Sequence, residues 1–140
     1  MNDLIGAFEA SVVGRSCRVT RREVDWTFDL GNGTIIAVGC HWRLISTQGI
    51  ALTDEDDGHQ FGLLKPVDAE AQANELLAGA TVSIVAVDRL TSDLSLRFSN
   101  ELRLDLLNNS SGYEGWQCSF AHGESRSSIV ASSGGGLAFF

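Results

Sequence analysis

A pattern of alternating strands and turns occurs twice in this chain. Residues 24–52 read VDWTFDLGNGTIIAVGCHWRLISTQGIAL, and residues 94–130 read LSLRFSNELRLDLLNNSSGYEGWQCSFAHGESRSSIV. Each stretch gives an alternating strand, a polar turn, a second strand and then a tryptophan that opens a further strand. The GNG at 31–33 supplies the glycine and asparagine that tight hairpin turns require. The sequence therefore predicts two similar antiparallel β-meanders that share one core.

Two segments have helical character. The start of the chain, NDLIGAFEASVV, has apolar residues at helical spacing and is followed by Gly14. The segment VDAEAQANELLAG is rich in alanine, glutamate and leucine, has an acidic first turn and ends at Gly79. We expect a helix over 67–78 that separates two similar halves, at about 13–62 and 79–136.

These patterns define the expected fold. A chain of 140 residues is the length of one domain and buries a core without a staple. We predict a single α+β domain over 1–140, built from two antiparallel β-meanders in pseudo-repeat. They are expected to form one sheet or a half-open barrel of about eight strands, with two short helices packed against it.

Charge narrows the class of partner. The formal net charge is −8, which disfavours nucleic acid and anionic membrane surfaces because both attract Lys and Arg. The sequence has neither an apolar run long enough to span a bilayer nor a signal-peptide pattern at its start, so we expect a cytoplasmic protein. The acidity fits binding to a basic protein, and it fits plain solubility equally well.

No sequence motif predicts a cofactor, a metal or a catalytic group. Cys17, Cys40 and Cys118 are odd in number and widely spaced, which is typical of small buried residues rather than of disulfides or a zinc site. The chain has no G-x-S-x-G elbow, and GGG at 134–136 lacks the lysine and the following helix of a phosphate-binding loop. We therefore predict a non-enzymatic protein without a cofactor.

The first candidate site is an acidic loop within residues 53–62. Its spacing does not fit an EF-hand, because Gly58 falls at position five and no terminal acid follows. The loop is then simply solvated, a weak metal site or an acidic patch for a basic partner. Of the two functional alternatives the patch is the more natural, because negative charge without defined geometry suffices for it. The residues of this candidate site are Asp54, Glu55, Asp56, Asp57 and His59.

The second candidate site lies in the later polar loop NNSSGYEG. Trp42 and Trp116, at comparable places in the two halves, are either core residues or part of an exposed aromatic anchor. Tyr113 and Glu114 are the better surface candidates, because the residues around them are polar. We assign them to the partner-binding surface.

Several of these segments resemble a family of small bacterial proteins of unknown function. The resemblance rests on FSN, on LRLDLL, on the Y-E-x-W pattern in SSGYEGWQ, on the closing glycine tract, and on WTFDLGNG, Trp42-Arg43-Leu44 and DGHQFG. It covers most of 13–136. The sequence departs from the family at Glu101, where the F-S/D-N/D-G turn has glycine. The resemblance implies no established activity, although some similar small acidic proteins look like immunity proteins that silence one toxin.

Three hypotheses about function follow. The first is an acidic, non-enzymatic protein-binding module, of the immunity type by analogy, that engages a basic partner through Asp54–Asp57 and the Tyr113–Glu114 loop. The alternative is a small-ligand or metal-binding domain, or an enzyme, that uses a cleft between the two meanders with His59, His41 or Glu114. The third is a homodimer formed through an exposed strand within residues 15–24.

Overall fold

The computed structural model of the protein describes residues 2–140, with side chains from residue 4 onward. Within that range the chain forms eleven strands, two α-helices and one short 3₁₀ turn. In chain order these are α1 (Asn2–Val12), β1 (Arg18–Arg21), β2 (Trp26–Asp29), β3 (Ile35–Val38), β4 (His41–Ser46), β5 (Gly49–Thr53), the 3₁₀ turn Asp54–Asp56, α2 (Ala69–Leu77), β6 (Val82–Val87), β7 (Leu94–Phe98), β8 (Arg103–Leu107), β9 (Trp116–His122), β10 (Ser125–Ala131) and β11 (Leu137–Phe139).

The strands form two antiparallel sheets. Sheet A has six strands in the order β1-β2-β3-β9-β10-β11, and sheet B has five in the order β5-β4-β8-β7-β6. The α+β class agrees with this architecture. The expectation of one sheet or a half-open barrel of about eight strands is wrong, because the eleven strands divide between two sheets that do not close into a barrel.

Two crossovers explain the division. After β3 the chain passes from sheet A to sheet B through residues 39–40, and after β8 it returns to sheet A through residues 108–115. Strand β3 consequently pairs with β9, and β4 pairs with β8. The sequence pattern identifies strands and hairpins because these depend on neighbouring residues. These pairings join residues that are distant along the chain, so the pattern does not reveal them.

A single hydrophobic core joins both sheets and both helices. The Trp42 ring from sheet B packs edge-on against Phe28 of sheet A, with ring centroids 5.5 Å apart. In α1, Phe8 stacks on Trp116 at 6.0 Å and meets Phe120 at 5.7 Å. Trp42 and Trp116 are therefore core residues, which decides between the two alternatives that the sequence left open.

Both predicted helices are present. The second one spans Ala69–Leu77, within the expected 67–78, and begins where the Asp68 carboxylate accepts a hydrogen bond from the Ala71 amide at 3.1 Å. Helix α1 packs against β9 and β6, whereas α2 packs against β1 and β5. Neither helix of the described residues is long and apolar enough to cross a membrane.

Helix α2 also covers the outer edge of β1. The Asn74 side chain accepts a hydrogen bond from the Val19 amide at 2.7 Å and donates one to the Val19 carbonyl at 2.8 Å. The Glu70 carboxylate accepts a further bond from the Arg21 amide at 2.8 Å. A homodimer through residues 15–24 stays a prediction, and pairing along this edge requires α2 to give up these bonds.

Candidate functional site

The connections between strands are unevenly distributed between the two ends of the molecule. Because every strand pair is antiparallel, the register assigns each connection to one end. One end carries the hairpin turns at 30–34, 47–48, 99–102 and 123–124, and we call it the turn end. The opposite end, which we call the loop end, carries six segments: 22–25, 39–40, 54–68, 88–93, 108–115 and 132–136.

Hydrogen bonds between segments hold the loop end together across the two sheets. The Gly115 carbonyl accepts bonds from the amides of Gly39 (2.9 Å) and Cys40 (3.1 Å). The Asn108 amide group donates to the carbonyls of Thr91 (2.9 Å) and Ser132 (3.0 Å). These bonds join the segments 39–40, 88–93, 108–115 and 132–136 across the two sheets, and loops held on a rigid scaffold are where binding residues concentrate in proteins.

Nearly all of the net charge lies at the loop end. Its six segments contain ten of the 18 aspartates and glutamates of the chain, but only three of the ten lysines and arginines. These segments therefore hold a net charge of −7 out of the −8 of the whole chain. The remaining 100 residues, which include the turn end, are almost neutral overall. The charge asymmetry gives the molecule one strongly acidic pole.

The loop end also exposes large apolar side chains. In the part of the chain that the structure describes, the four most exposed large apolar residues all lie there, with 80 to 100% of their surface accessible. They are Val24, Leu64, Leu90 and Tyr113. Exposed apolar side chains rimmed by polar residues are one feature of protein-binding surfaces.

The acidic residues 54–57 are less available than their sequence indicates. Asp54 accepts a hydrogen bond from the Trp42 amide at 3.0 Å, and Asp56 accepts one from the Thr53 amide at 3.0 Å. Asp57 accepts one from the Ala69 amide at 2.9 Å and pairs with Arg21 at 3.3 Å. These three carboxylates therefore bind groups of the protein itself. Glu55 is the exposed member of the group.

His41 joins the acidic turn to the start of β4. Its Nδ1 lies 2.9 Å from an Asp54 oxygen, and its Nε2 lies 3.3 Å from Glu55. The hydrogen bond to Asp54 raises the pKa of His41 above its usual value, and the negative charges of Asp54 and Glu55 add to the shift. His41 follows Cys40, which contacts Gly115. The acidic turn and the Tyr113–Glu114 loop therefore lie on either side of one short segment.

The second predicted site lies on the same end as the first. The Ser110 hydroxyl accepts hydrogen bonds from the amides of Gly112 (3.0 Å) and Tyr113 (2.9 Å), which turns the tyrosine side chain outward. Glu114 borders a shallow cavity of about 200 Å³ together with Asp25, Gly39 and Trp116. His41 and His59 do not line this cavity. The three polar groups proposed for a cleft site are thus not brought together within the described residues.

His59 belongs to a compact loop between the 3₁₀ turn and α2. Its ring stacks on Phe61, with centroids 5.5 Å apart. The Gly58 amide donates to the Val67 carbonyl at 2.8 Å, and the Val67 amide donates to the His59 carbonyl at 2.7 Å. These bonds close the loop at its base and present Phe61 and Leu64 to solvent.

Sequence reasoning missed this apolar loop and the role of His41. The signal for the loop was the run F-G-L-L at 61–64, which has three large apolar residues without helical or strand periodicity and lies beside an acidic segment. Without such periodicity these residues do not share one face of a helix or strand that could pack on the core. No comparable signal existed for His41, because its partner Asp54 comes from another strand end.

The three cysteine thiols are buried. Burial raises the pKa of Cys17, Cys40 and Cys118 to about 12 each, so these thiols are poor nucleophiles. From residue 4 to residue 140, no three His, Cys, Asp or Glu side chains converge as a metal site requires. The acidic turn binds backbone amides and His41 instead.

Comparisons of the chain with protein families, with curated proteins and with solved structures find no match. The resemblance to small bacterial proteins of unknown function therefore stays a prediction. The fold and the charge distribution define the protein as a two-sheet α+β domain with one acidic end that also exposes apolar side chains.

Proposed function

We propose that this protein is a non-enzymatic protein-binding module that engages a basic partner through its loop end. The observation that carries the proposal is the coincidence of charge and apolar exposure. The end with a net charge of −7 is also the end that exposes Leu64 and Tyr113. Charge accelerates the encounter with a basic surface, and the apolar side chains supply contact area once the surfaces meet.

Within this surface the residues have different roles. Asp54, Asp56 and Asp57 contribute to the electrostatic field rather than to direct contacts, because a backbone amide already binds one oxygen of each carboxylate. Glu55 and Glu114 are exposed and are the carboxylates we assign to ion pairs with the partner. The His59 ring stacks on Phe61, so we assign His59 an indirect role in binding, through the position of Phe61.

A module of the immunity type, which binds and silences one basic toxin in the cytoplasm, fits this chemistry. Inhibition by a protein of this kind requires affinity and steric cover, and it needs no reactive group of its own. The acidic end meets the electrostatic requirement, and the near-neutral remainder of the molecule confines the interaction to one side.

We further propose that the two halves are a pseudo-repeat. Each half runs from a helix through three strands of one sheet, crosses over, and continues in the other sheet. The cross-pairing is reciprocal, because the third strand of each half pairs with the fourth strand of the other. This order is what duplication of one helix-and-strand unit would produce.

The proposal is tested by affinity capture from a lysate of the native host. The baits are the wild type, the loop-end variant Glu55→Gln/Glu114→Gln and the control Glu101→Gln/Glu124→Gln, which removes the same charge at the turn end. Screening shortens the reach of exposed charges from about 10 Å at 0.1 M salt to about 3 Å at 1 M. We expect one basic protein to be captured by the wild type and the control, and to be lost in the loop-end variant and at high salt.

An apolar variant completes the design. Leu64→Ser/Tyr113→Ser keeps the charge and removes the proposed contact area, so capture should weaken without a change in salt dependence. Equal capture by all baits, or no basic protein captured by the wild type, would contradict the proposal.

A further inference from the structure

The outer face of sheet B is open to solvent. Helix α2 packs beside β1 and β5, and α1 beside β9 and β6, so both helices lie at the sides of the two-sheet stack. On this outer face, strands β4, β7 and β8 carry charged side chains where their inner faces carry leucines and Trp42. An antiparallel sheet commonly has one solvated, polar face, but Asp105 on this face is buried.

The strand register assembles three arginines around one aspartate. Arg43 pairs across the strands with Asp105, and Arg97 stands directly opposite Arg103. Like charges in directly opposite positions repel each other and destabilise a sheet. Asp105 is the carboxylate among these four groups, so the cluster formed by Arg43, Arg97, Arg103 and Asp105 holds a charge of +2 in an otherwise acidic molecule.

Asp105 fixes two of the arginines but uses few of their donors. Arg103 binds it through Nε (2.9 Å) and Nη2 (3.1 Å), and the Ser95 hydroxyl donates to it at 3.1 Å. The Arg43 Nε lies 3.5 Å from the same carboxylate. Asp105 is buried and accepts three hydrogen bonds, which leaves several guanidinium N–H groups of the arginines available for other acceptors.

Arg97 completes the arrangement. Its side chain is exposed, and within residues 4–140 it forms no ion pair. It borders an open cavity of about 480 Å³ together with Arg43, Arg103 and Asp105. Asp88 and Asp93 line the opposite rim, where their carboxylates accept bonds from the Leu90, Thr91 and Asn108 amides. The cavity thus has a cationic floor and an acidic rim.

We propose that this cavity binds an oxyanion, which is a carboxylate or phosphate group of a small molecule. The guanidiniums of Arg97 and Arg103 grip it, and Arg43 supports them. Planar guanidinium groups match carboxylate and phosphate oxygens in pairs, and an anion between Arg97 and Arg103 relieves their mutual repulsion. The acidic rim directs the anionic group of the ligand toward the arginines and disfavours a second anionic group at the other end.

This proposal is independent of the loop-end interaction, and it competes with a simpler interpretation. Arginine stems often cover the outer face of a sheet while the charged heads remain solvated. In that case added anions would only screen the arginine charges, and the NMR shifts would not reach saturation. The two interpretations therefore differ in the shape of a titration curve.

The test is an NMR titration of the arginine Nε–H signals of the whole protein. Inorganic phosphate in one series and acetate in the other are added at constant ionic strength, which separates a phosphate site from a carboxylate site. The variant Arg97→Gln is compared with Arg18→Gln, which removes an exposed arginine of sheet A. We expect saturable shifts at Arg97 and Arg103 with at least one anion, weakened about tenfold in Arg97→Gln and unchanged in Arg18→Gln.

Either of two results would overturn the proposal. Shifts that grow linearly without saturation for both anions indicate screening alone. An equal loss of affinity in Arg97→Gln and Arg18→Gln indicates that net charge, rather than this cluster, controls binding. Because Arg97 is exposed, its replacement is not expected to impair folding, and an unchanged urea midpoint verifies this.

Discussion

Glu101 adopts a backbone conformation that side chains disfavour. It lies in the turn between β7 and β8 with a φ of +70°, in the left-handed region that glycine tolerates best. A glycine would adopt this conformation without the steric cost of a Cβ.

Replacement of this glutamate should stabilise the protein. We expect Glu101→Gly to raise the free energy of unfolding by about 1 kcal/mol, because the left-handed conformation no longer opposes a Cβ. The matched control Glu101→Ala removes the carboxylate and keeps the Cβ, so it should give no gain. Urea unfolding midpoints measure both. An equal gain in the two variants would attribute the effect to charge instead.

His41 makes stability depend on pH. Its pKa is raised in the folded state, mainly by the hydrogen bond to Asp54, so its contribution is fully present below about pH 6.5. The contribution is lost as the pH rises through the folded pKa. An NMR titration should find the pKa of His41 above 6.5 in the wild type and lower in Asp54→Asn.

Unfolding measurements provide the second readout for His41. The variant His41→Gln keeps a hydrogen-bond donor and cannot be charged. It should be less stable than the wild type at roughly pH 5.5 and should approach it at roughly pH 9. A difference that is constant across this range would contradict the ion-pair explanation.

At the scale of elements, local signals identified the helices and hairpins. Asp68 and Gly79 bound α2, and the GNG turn joins β2 to β3, as the sequence predicts. The two crossovers and the division into two sheets depend on pairing between distant strands, for which the sequence has no local signal.

The candidate site was likewise predictable only in its local features. Its acidic residues were visible in the sequence, but their backbone partners and the loop end were not.

The contact between α2 and the edge of β1 could not be predicted from sequence patterns. Asn74 looks like an ordinary helix residue in the sequence, yet it satisfies both backbone groups of the buried Val19. We expect Asn74→Ala to lower the free energy of unfolding by about 2 kcal/mol, because two partly buried backbone groups lose their hydrogen-bond partner. The exposed Gln72→Ala on the same helix should change it by about 0.5 kcal/mol or less. Thermal unfolding compares the variants, and equal effects would contradict the edge-capping role.

At the scale of the whole molecule, the negative charge is concentrated at one end. Short turns and a near-neutral surface occupy one part, and long loops with seven of the eight net negative charges occupy the other. The sign of the charge and two of the loops are evident from the sequence. The fold brings those two loops together with four other segments, and only this convergence makes a single surface of them.

The most direct test of the account is a residue-resolved footprint. Amide NMR spectra of the isotope-labelled protein are recorded in buffer and then in a lysate of the native host at low salt. We expect signals from the loop end, including those of Glu55, Leu64, Tyr113 and Glu114, to shift or broaden, and signals from the turns at 47–48 and 123–124 to stay unchanged. Perturbations spread evenly over both ends, or concentrated at the turn end, would contradict it.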